Sequence, residues 1–332
     1  MEVRKSVASG QWSVDSAGVP EGGRSPLSTV HSPLTTKIGS LIMRTPVTVA
    51  SGTFGFGSET ADLVDLSKLG AITVKATTSK PRVGNPPTRI VETASGILNA
   101  IGLQNGGVEN YIAEKLPFLR RHDCPIIVNV PGETPEDFAY VCRLLTDAGG
   151  ADAIELNISC PNVSHGLDFA TDPVQTAKVV EACRKATHLP LIAKLSPNVT
   201  DMRPIARAAE DAGADGLSLI NTIIGTSIDA RKRTFRLANI TGGLSGPAVK
   251  PIALLHVYRV AQVSGIPIIG MGGITNATDA IEFLLAGATA VATGTINYTN
   301  PLAAIEIADG IAAYLTANGF ADVSEIVGAV AS

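Results

Sequence analysis

A short motif occurs three times in this chain, each time where a helical pattern gives way to an apolar β-type run. Its copies are AGGADAI at 148–154, AGADGL at 212–217 and AGATAV at 286–291. Glycine at that place supplies the left-handed conformation that ends a helix. Three copies of one helix-to-strand joint indicate repeated βα units, and this repetition favours an α/β fold class.

Eight apolar runs alternate with amphipathic helical patterns. The predicted strands cover residues 47–51, 71–75, 125–130, 153–158, 191–195, 216–220, 266–270 and 290–294. Near-continuous apolar strands are typical of a parallel sheet buried on both faces. Eight such units predict a single (β/α)8 TIM barrel of about 250 residues plus additions. An open doubly wound sheet is the competing architecture, but no G-x-G-x-x-G motif opens a helix after the first strand.

The chain of 332 residues divides into an atypical start and a regular remainder. Residues 1–35 are rich in Ser, Gly, Val and Pro and lack the apolar core of a secretory signal. We interpret them as a flexible N-terminal extension whose lone Trp12 could dock on the barrel or on a partner. The barrel is expected to occupy residues 36–332.

Charge and cysteine content exclude several function classes. The net charge of −4 argues against a nucleic-acid-binding surface, and no apolar run reaches the roughly 18–20 residues of a membrane span. The four cysteines form no C-x-x-C pair, so we expect neither a metal site nor an iron–sulfur cluster on this chain. Free thiols fit a reducing compartment, which predicts a cytoplasmic location. We expect Cys142 and Cys183 to pack on helix faces.

Polar residues or glycines follow every predicted strand. In α/β barrels the carboxyl ends of the strands carry the chemistry, and they converge on one mouth. Two connections, 76–105 and 222–247, are too long for plain joints, so we expect extended loops over this face that could cover a flat ligand. The strand-end residues are Ser51-Gly52, Lys75, Asn129, Asn157, Lys194, Asn221-Thr222, Gly272-Gly273 and Gly294-Thr295.

The strand ends favour a phosphate-bearing ring system as ligand. Gly272-Gly273 and Gly294-Thr295 follow strands seven and eight, where barrels often hold a phosphate through backbone N–H groups; the alternative is that these glycines only make tight turns. Lys75 and Lys194 end apolar strands and would form a cationic floor. A flavin fits such a floor, because a nearby cation stabilises its N1–C2=O2 edge on reduction.

Asparagines and a cysteine complete the predicted site. Asn99, Asn129, Asn157 and Asn221 offer both donors and acceptors and together suit a pyrimidine. Cys160 lies just beyond the predicted strand 153–158, within the run 154–162, and we hypothesise that it is a catalytic base. An isolated cysteine is more often a buried thiol beside a turn. The other strand ends favour the catalytic interpretation.

Nine motifs in the region 36–330 closely resemble the dihydroorotate dehydrogenase family, and most closely the catalytic subunit of its NAD-linked class 1B. They are VKATT at 74–78, RVGNP at 82–86, ETASG at 92–96, NAIGLQN at 99–105, ELNISCPN at 155–162, KLSPN at 194–198, INT at 220–222, NITGGLSGP at 239–247 and IGMGG at 269–273.

This resemblance implies an FMN-binding barrel that oxidises (S)-dihydroorotate to orotate in de novo pyrimidine (UMP) biosynthesis. Cys160 would remove the C5 proton while hydride passes from C6 to flavin N5. Substrate binding is implied for Lys75, Asn99, Ala100, Ile101, Gly102, Leu103, Asn157, Asn221 and Thr222. FMN binding is implied for Ser51, Lys75, Ala76, Asn129, Asn157, Lys194, Ile220, Gly246, Gly272, Gly273, Gly294 and Thr295.

The resemblance also implies a partner. Class 1B chains pair with a subunit carrying FAD and a [2Fe–2S] cluster that passes electrons to NAD, in a heterotetramer built on a homodimer core. The alternatives are a class 1A-like homodimer that uses fumarate, another pyrimidine-reducing flavin barrel, and a ligand-binding barrel without turnover. The sequence does not decide the electron acceptor.

Overall fold

The computed structural model describes residues 32–158 and 169–331. Its strands are β1 (Thr36–Ile38), β2 (Leu41–Met43), β3 (Val47–Val49), β4 (Ile72–Val74), β5 (Ile90–Thr93), β6 (Gly96–Asn99), β7 (Ile126–Val130), β8 (Ala153–Asn157), β9 (Leu191–Lys194), β10 (Gly216–Leu219), β11 (Ile223–Thr226), β12 (Ile228–Asp229), β13 (Thr234–Phe235), β14 (Thr241–Ser245), β15 (Ile268–Met271) and β16 (Ala290–Thr293). Its helices are α1 (Gly107–Asn110), α2 (Leu116–Leu119), α3 (Pro135–Asp147), α4 (Pro173–Ala186), α5 (Arg203–Asp211), α6 (Lys250–Ala261), α7 (Ala277–Leu285) and α8 (Ala303–Asn318).

Eight of these strands form one parallel sheet in the order β3-β16-β15-β10-β9-β8-β7-β4. A parallel bridge between Thr48 and Ala71 joins the two ends of the sheet, which closes it into a barrel. These are the eight strands predicted from the sequence, and the predicted (β/α)8 TIM barrel is confirmed. The bounds differ by one or two residues; the seventh strand begins at Ile268 rather than at residue 266.

Side chains alternate along each barrel strand between the helices and the barrel interior. On β8, Ile154 and Leu156 belong to the large apolar core that includes α3 and α4, whereas Ala153 belongs to a separate cluster inside the barrel. Glu155 and Asn157 share the parity of Ala153 and therefore also face inward. Interior positions near the carboxyl end of this strand are thus polar.

A hairpin closes the amino end of the barrel. Strands β1 and β2 pair antiparallel, and Ile38, Leu41 and Met43 are buried in the interior cluster. The contact is close: a Cβ on Gly216, the first residue of β10, would lie 2.6 Å from Cγ2 of Ile38. The amino end is therefore an apolar plug.

The helix-to-strand joints have the predicted geometry. Gly149, Gly213 and Gly287, one in each copy of the repeated motif, have φ values of 57°, 99° and 112°. Thr134 caps α3 by accepting a hydrogen bond from the Asp137 amide, as predicted. Cysteines 142 and 183 are fully buried on helix faces, as expected, and are free thiols.

The two long connections pair with each other. Strands β5 and β6 from the first and β11 and β14 from the second form one antiparallel sheet in the order β11-β14-β6-β5. The loops touch backbone to backbone, since a Cβ on Gly96 would lie 2.0 Å from the carbonyl oxygen of Ser245. A single additional layer therefore stands over the carboxyl end of the barrel.

Two sequence predictions concern residues outside those that the structure describes. These are residues 1–31, most of the predicted extension, and Cys160. Within residues 32–158 and 169–331, no helix has the length and apolar character to cross a bilayer. The same residues contain no cluster of three or more His, Cys, Asp or Glu side chains suited to a metal ion.

Candidate active site

A cavity of about 400 Å³ lies between the carboxyl ends of the barrel strands and the sheet formed by the two long loops. This volume falls within the range of about 300–1,000 Å³ that is common for small-molecule sites. The cavity touches residues at the end of every barrel strand as well as residues of β6, β11 and β14. The barrel thus supplies the floor, and the long loops supply the cover.

The structure brings nearly all predicted site residues to this cavity. Those expected to bind FMN that line it are Ser51, Lys75, Ala76, Asn129, Asn157, Lys194, Ile220, Gly246, Gly272, Gly273, Gly294 and Thr295. Those expected to bind substrate that line it are Lys75, Asn99, Ile101, Gly102, Leu103, Asn157, Asn221 and Thr222. Ala100 is buried beside them, and its carbonyl accepts a hydrogen bond from Asn85 at 3.0 Å.

Side-chain amides form a row of hydrogen bonds across the floor. Asn221 donates to Asn157 Oδ1 at 3.2 Å, and Asn157 donates to Asn129 Oδ1 at 3.3 Å. Asn129 in turn donates to Glu155 Oε1 at 2.6 Å. We call these four residues the carboxylate–amide row. The row fixes the positions of Asn129, Asn157 and Asn221, three of the four asparagines that the sequence predicts as a joint ligand-binding set.

Lys194 is held at the same floor by charge. Its Nζ lies 3.3 Å from Glu155 Oε1 and 3.3 Å from Ser51 Oγ. The side chains of Lys194 and Glu155 are 6% and 3% exposed, so the pair is almost fully removed from water. A buried lysine needs such a partner. The ammonium is therefore placed at the cavity rather than in solvent.

Three glycines form a cradle where a phosphate is expected. Gly246, Gly272 and Gly273 have φ values of 104°, 126° and 77°. A Cβ on Gly273 would lie 2.8 Å from Cβ of Lys250 and 2.9 Å from the carbonyl oxygen of Gly246. Only glycine fits this conformation and spacing. The absence of side chains at these glycines therefore lets the two loops pack closely together while their backbone lines the cavity.

Lys75 and the segment after β6 form another part of the cavity wall. Lys75 is half-buried, and burial lowers the pKa of its ammonium, an effect that nearby Glu59 opposes. Gly102 and Leu103 both have positive φ, 76° and 57°. Asn85 holds this segment through its backbone N–H, which donates to the carbonyl of Ile101 at 3.0 Å. A tight, preformed turn therefore faces the cavity.

Residues 33–315 match the family model described as dihydroorotate dehydrogenase. The chain belongs to the dihydroorotate dehydrogenase family. Members of this family are flavin-dependent, which agrees with the glycine cradle and with the buried cation of Lys194.

Curated relatives cover most of the chain. It is 55% identical to a protein of Pelobacter propionicus over 90% of this chain and 98% of the relative, and 55% identical to one of Desulforamulus reducens over 89% and 98%. A protein of Thermoanaerobacter sp. (strain X514) is 50% identical over 90% and 98%. Each of the three is named dihydroorotate dehydrogenase B (NAD(+)), catalytic subunit, and that name implies a partner subunit for those proteins.

Several residues at or beneath this cavity have no role predicted from the sequence. Glu155 and Ser218 lie beneath the floor, and Ser218 Oγ donates to Glu155 Oε2 at 2.8 Å. Asn198 lines the cavity and binds both the carbonyl of Thr222 and the amide of Ile224. Tyr298 lines it too. Glu155 had a usable signal, because a carboxylate inside an apolar strand requires a partner just as a lysine does.

Proposed function

We propose that this chain is the catalytic subunit of an NAD-linked dihydroorotate dehydrogenase that oxidises (S)-dihydroorotate to orotate in de novo pyrimidine biosynthesis. The observation that carries the proposal is the cavity itself. All residues expected to bind FMN and nearly all described residues expected to bind the pyrimidine line this one space. Membership in the family supports the reaction, and the site supplies residues suited to both ligands.

The proposed cofactor is FMN. Gly246, Gly272, Gly273, Gly294 and Thr295 would hold its phosphate through backbone N–H groups and the Thr295 hydroxyl. When bound, FMN supplies the acceptor for the hydride that leaves C6 of dihydroorotate. The ammonium of Lys194 would face the N1–O2 edge of the ring, and its burial strengthens that interaction because water does not screen it.

The proposed substrate contacts are the amides and one cation. Asn99, Asn157 and Asn221 offer N–H donors and carbonyl acceptors that match the alternating N–H and C=O groups of the ring. Lys75 would pair with the substrate carboxylate. The turn at 101–103, with its positive φ at Gly102 and Leu103, would enclose the ring and exclude water.

Cys160 is the proposed base. It follows Asn157 by three residues in the sequence and lies outside the residues that the structure describes. It would remove the C5 proton of the substrate as thiolate. Since an unperturbed thiol has a pKa of about 8.5, the site must lower this pKa for the base to be active at neutral pH.

Electrons would leave through a second protein. We propose a partner subunit with FAD and a [2Fe–2S] cluster, assembled with a homodimer of this chain into a heterotetramer in the cytoplasm. Related chains are named catalytic subunits. This name supports a division of labour in which this chain reduces its flavin and the partner reduces NAD+.

Purification of the chain from its own cells tests this proposal. We expect a companion iron–sulfur flavoprotein and dihydroorotate-dependent NAD+ reduction by the complex, but not by the chain alone. Activity of the isolated chain with fumarate would instead assign it to the class 1A type. Reduction of uracil or thymine without dihydroorotate oxidation would refute the proposed substrate, and absence of any turnover would indicate a binding protein.

A further inference from the structure

Glu155 is a buried carboxylate that does not line the cavity yet binds three residues there or directly beneath it. It accepts hydrogen bonds from Asn129 at 2.6 Å, from Ser218 at 2.8 Å and from Lys194 at 3.3 Å. Burial of a charge is costly unless it is paired and hydrogen-bonded. The position of Glu155 in the middle of β8 therefore calls for a purpose beyond packing.

An ionised carboxylate can only accept hydrogen bonds, and this sets the direction of the row. Because Glu155 Oε1 accepts from the Asn129 amide nitrogen, Asn129 must turn its oxygen toward Asn157. Asn157 must then donate to Asn129 and accept from Asn221. One carboxylate thus fixes which amide atoms remain on the cavity side at three positions.

The same carboxylate sets the charge of the floor. The Lys194 ammonium would give the floor a charge of +1, and Glu155 at 3.3 Å reduces the sum for the pair to zero. In surroundings of low dielectric, a unit charge several ångströms away changes an equilibrium by roughly tenfold or more. The reduction potential of a ring bound above this floor will therefore change if either Lys194 or Glu155 loses its charge.

We propose that Glu155 is a positioning residue that holds the Lys194 ammonium and the Asn129 amide at the cavity floor and offsets the charge of Lys194 beneath the flavin. The inference rests on the proposed function, because FMN must occupy the cavity for this charge to affect its reduction. Glu155 does not touch the substrate; it acts through Lys194 and Asn129.

The test is the midpoint potential of bound FMN, measured in the full-length chain by equilibration with a reference dye at neutral pH. Glu155→Gln keeps the size of the side chain and removes its charge. We expect FMN to remain bound and its reduction to become about tenfold more favourable, an upward shift of about 30 mV for a two-electron couple. A merely structural role of Glu155 would not raise the potential.

The matched control is Asp152→Asn. Asp152 directly precedes β8 and is paired with Arg120 at 3.1 Å, so it is also an acidic partner in an ion pair, but at the amino end of the barrel. We expect Asp152→Asn to change the equilibrium constant for reduction of bound FMN by no more than about twofold. This change is clearly smaller than the tenfold effect expected for Glu155→Gln.

A second comparison isolates Glu155 if the single variant does not fold. Replacing both members of a buried ion pair by neutral residues is often tolerated. In the double variant Lys194→Met/Glu155→Gln both charges are absent, so the equilibrium constant for flavin reduction is expected to stay within about twofold of the wild-type value, whereas a loss of about tenfold would show that Glu155 does not offset the charge of Lys194. A folded, FMN-containing Glu155→Gln protein with the wild-type potential would overturn the inference. A wild-type chain that binds no FMN would overturn the proposed function instead.

Discussion

The two ends of the barrel are built from the same eight strands and carry opposite chemistry. At the amino end, Ile38 and Met43 of the hairpin are fully buried in an apolar cluster. At the carboxyl end, Glu155 and Lys194 form a buried ion pair beneath a polar cavity. The change occurs within two residues of β8, from Ala153 in the apolar cluster to Glu155. Residues that stabilise the barrel and residues proposed to bind ligands thus lie at opposite ends of the strands. Variants at the amino end are therefore expected to change stability, and variants at the carboxyl end are expected to change ligand binding or catalysis.

The largest expected effect lies at the carboxyl end. Cys160→Ala should leave FMN bound and slow its reduction by dihydroorotate by roughly 10²–10⁴-fold, because the proton at C5 loses its base. Rapid mixing of the variant with dihydroorotate in the absence of oxygen measures this rate. Cys142→Ala, which alters a buried helix thiol, serves as the control and should keep the wild-type rate. An undiminished rate in Cys160→Ala would refute the role of Cys160 as base.

At the amino end, Ile38→Ala should lower the free energy of unfolding by about 2–5 kcal/mol, since it removes a fully buried side chain from the plug. Urea denaturation measures this loss. Ile42 lies on the same hairpin with 37% of its surface exposed, and its replacement by Ala should cost no more than about 0.5 kcal/mol. A change in the KM for dihydroorotate in Ile38→Ala would contradict the separation of the two ends.

Two glycines with positive φ sharpen the same comparison. Gly273→Ala places a Cβ 2.8 Å from Lys250 Cβ in the proposed phosphate cradle and should weaken FMN binding by about tenfold or more, for a strain of about 1–2 kcal/mol. Gly149→Ala, at a helix-to-strand joint with no atom within 4 Å of the new Cβ, should lower stability by a similar amount. Fluorescence titration with FMN distinguishes the two variants, because only Gly273→Ala is expected to bind FMN more weakly. Equal FMN affinity in both variants would count against a phosphate site at Gly273.

The smallest expected effect concerns pH. Burial lowers the pKa of Lys75, so its ammonium is present below the lowered pKa and is lost as pH rises through it. As pH rises into the alkaline range, affinity for the substrate carboxylate should therefore fall at a lower pH than it would if Lys75 had the usual pKa of a lysine. Lys75→Arg remains charged throughout and should flatten this fall. The KM for dihydroorotate, measured against pH in the wild type and in Lys75→Arg, tests this expectation. Identical profiles in the two proteins would show that Lys75 does not bind the substrate carboxylate.

The sequence predicted the barrel because each strand is a local apolar run and each joint carries a local glycine signal. The same reasoning placed the polar strand ends at one mouth. It did not predict that β6 pairs with β14, because that register joins Asn99 to Gly243 across more than a hundred residues. No local pattern encodes such a pairing, although the length of the two loops indicated that they carry structure.

Glu155 shows a different limit. Lys75 and Lys194 are predicted to be functional because they are cations at the ends of apolar strands, and a carboxylate at the centre of such a strand carries the same kind of signal. Its three partners lie on β7, β9 and β10, so they became recognisable only when the strand order was known. The predicted cavity residues and the need of Glu155 for a partner were thus accessible from the sequence, whereas the identity of its partners was not.

Anaerobic titration of the purified, FMN-loaded chain with dihydroorotate tests most directly whether the carboxyl end of this barrel binds FMN and transfers electrons to it from dihydroorotate. We predict one FMN per chain and complete bleaching of the flavin absorbance with formation of one orotate per flavin. A chain that takes up no FMN, or one whose flavin is bleached by dithionite but not by dihydroorotate, would contradict the proposed function.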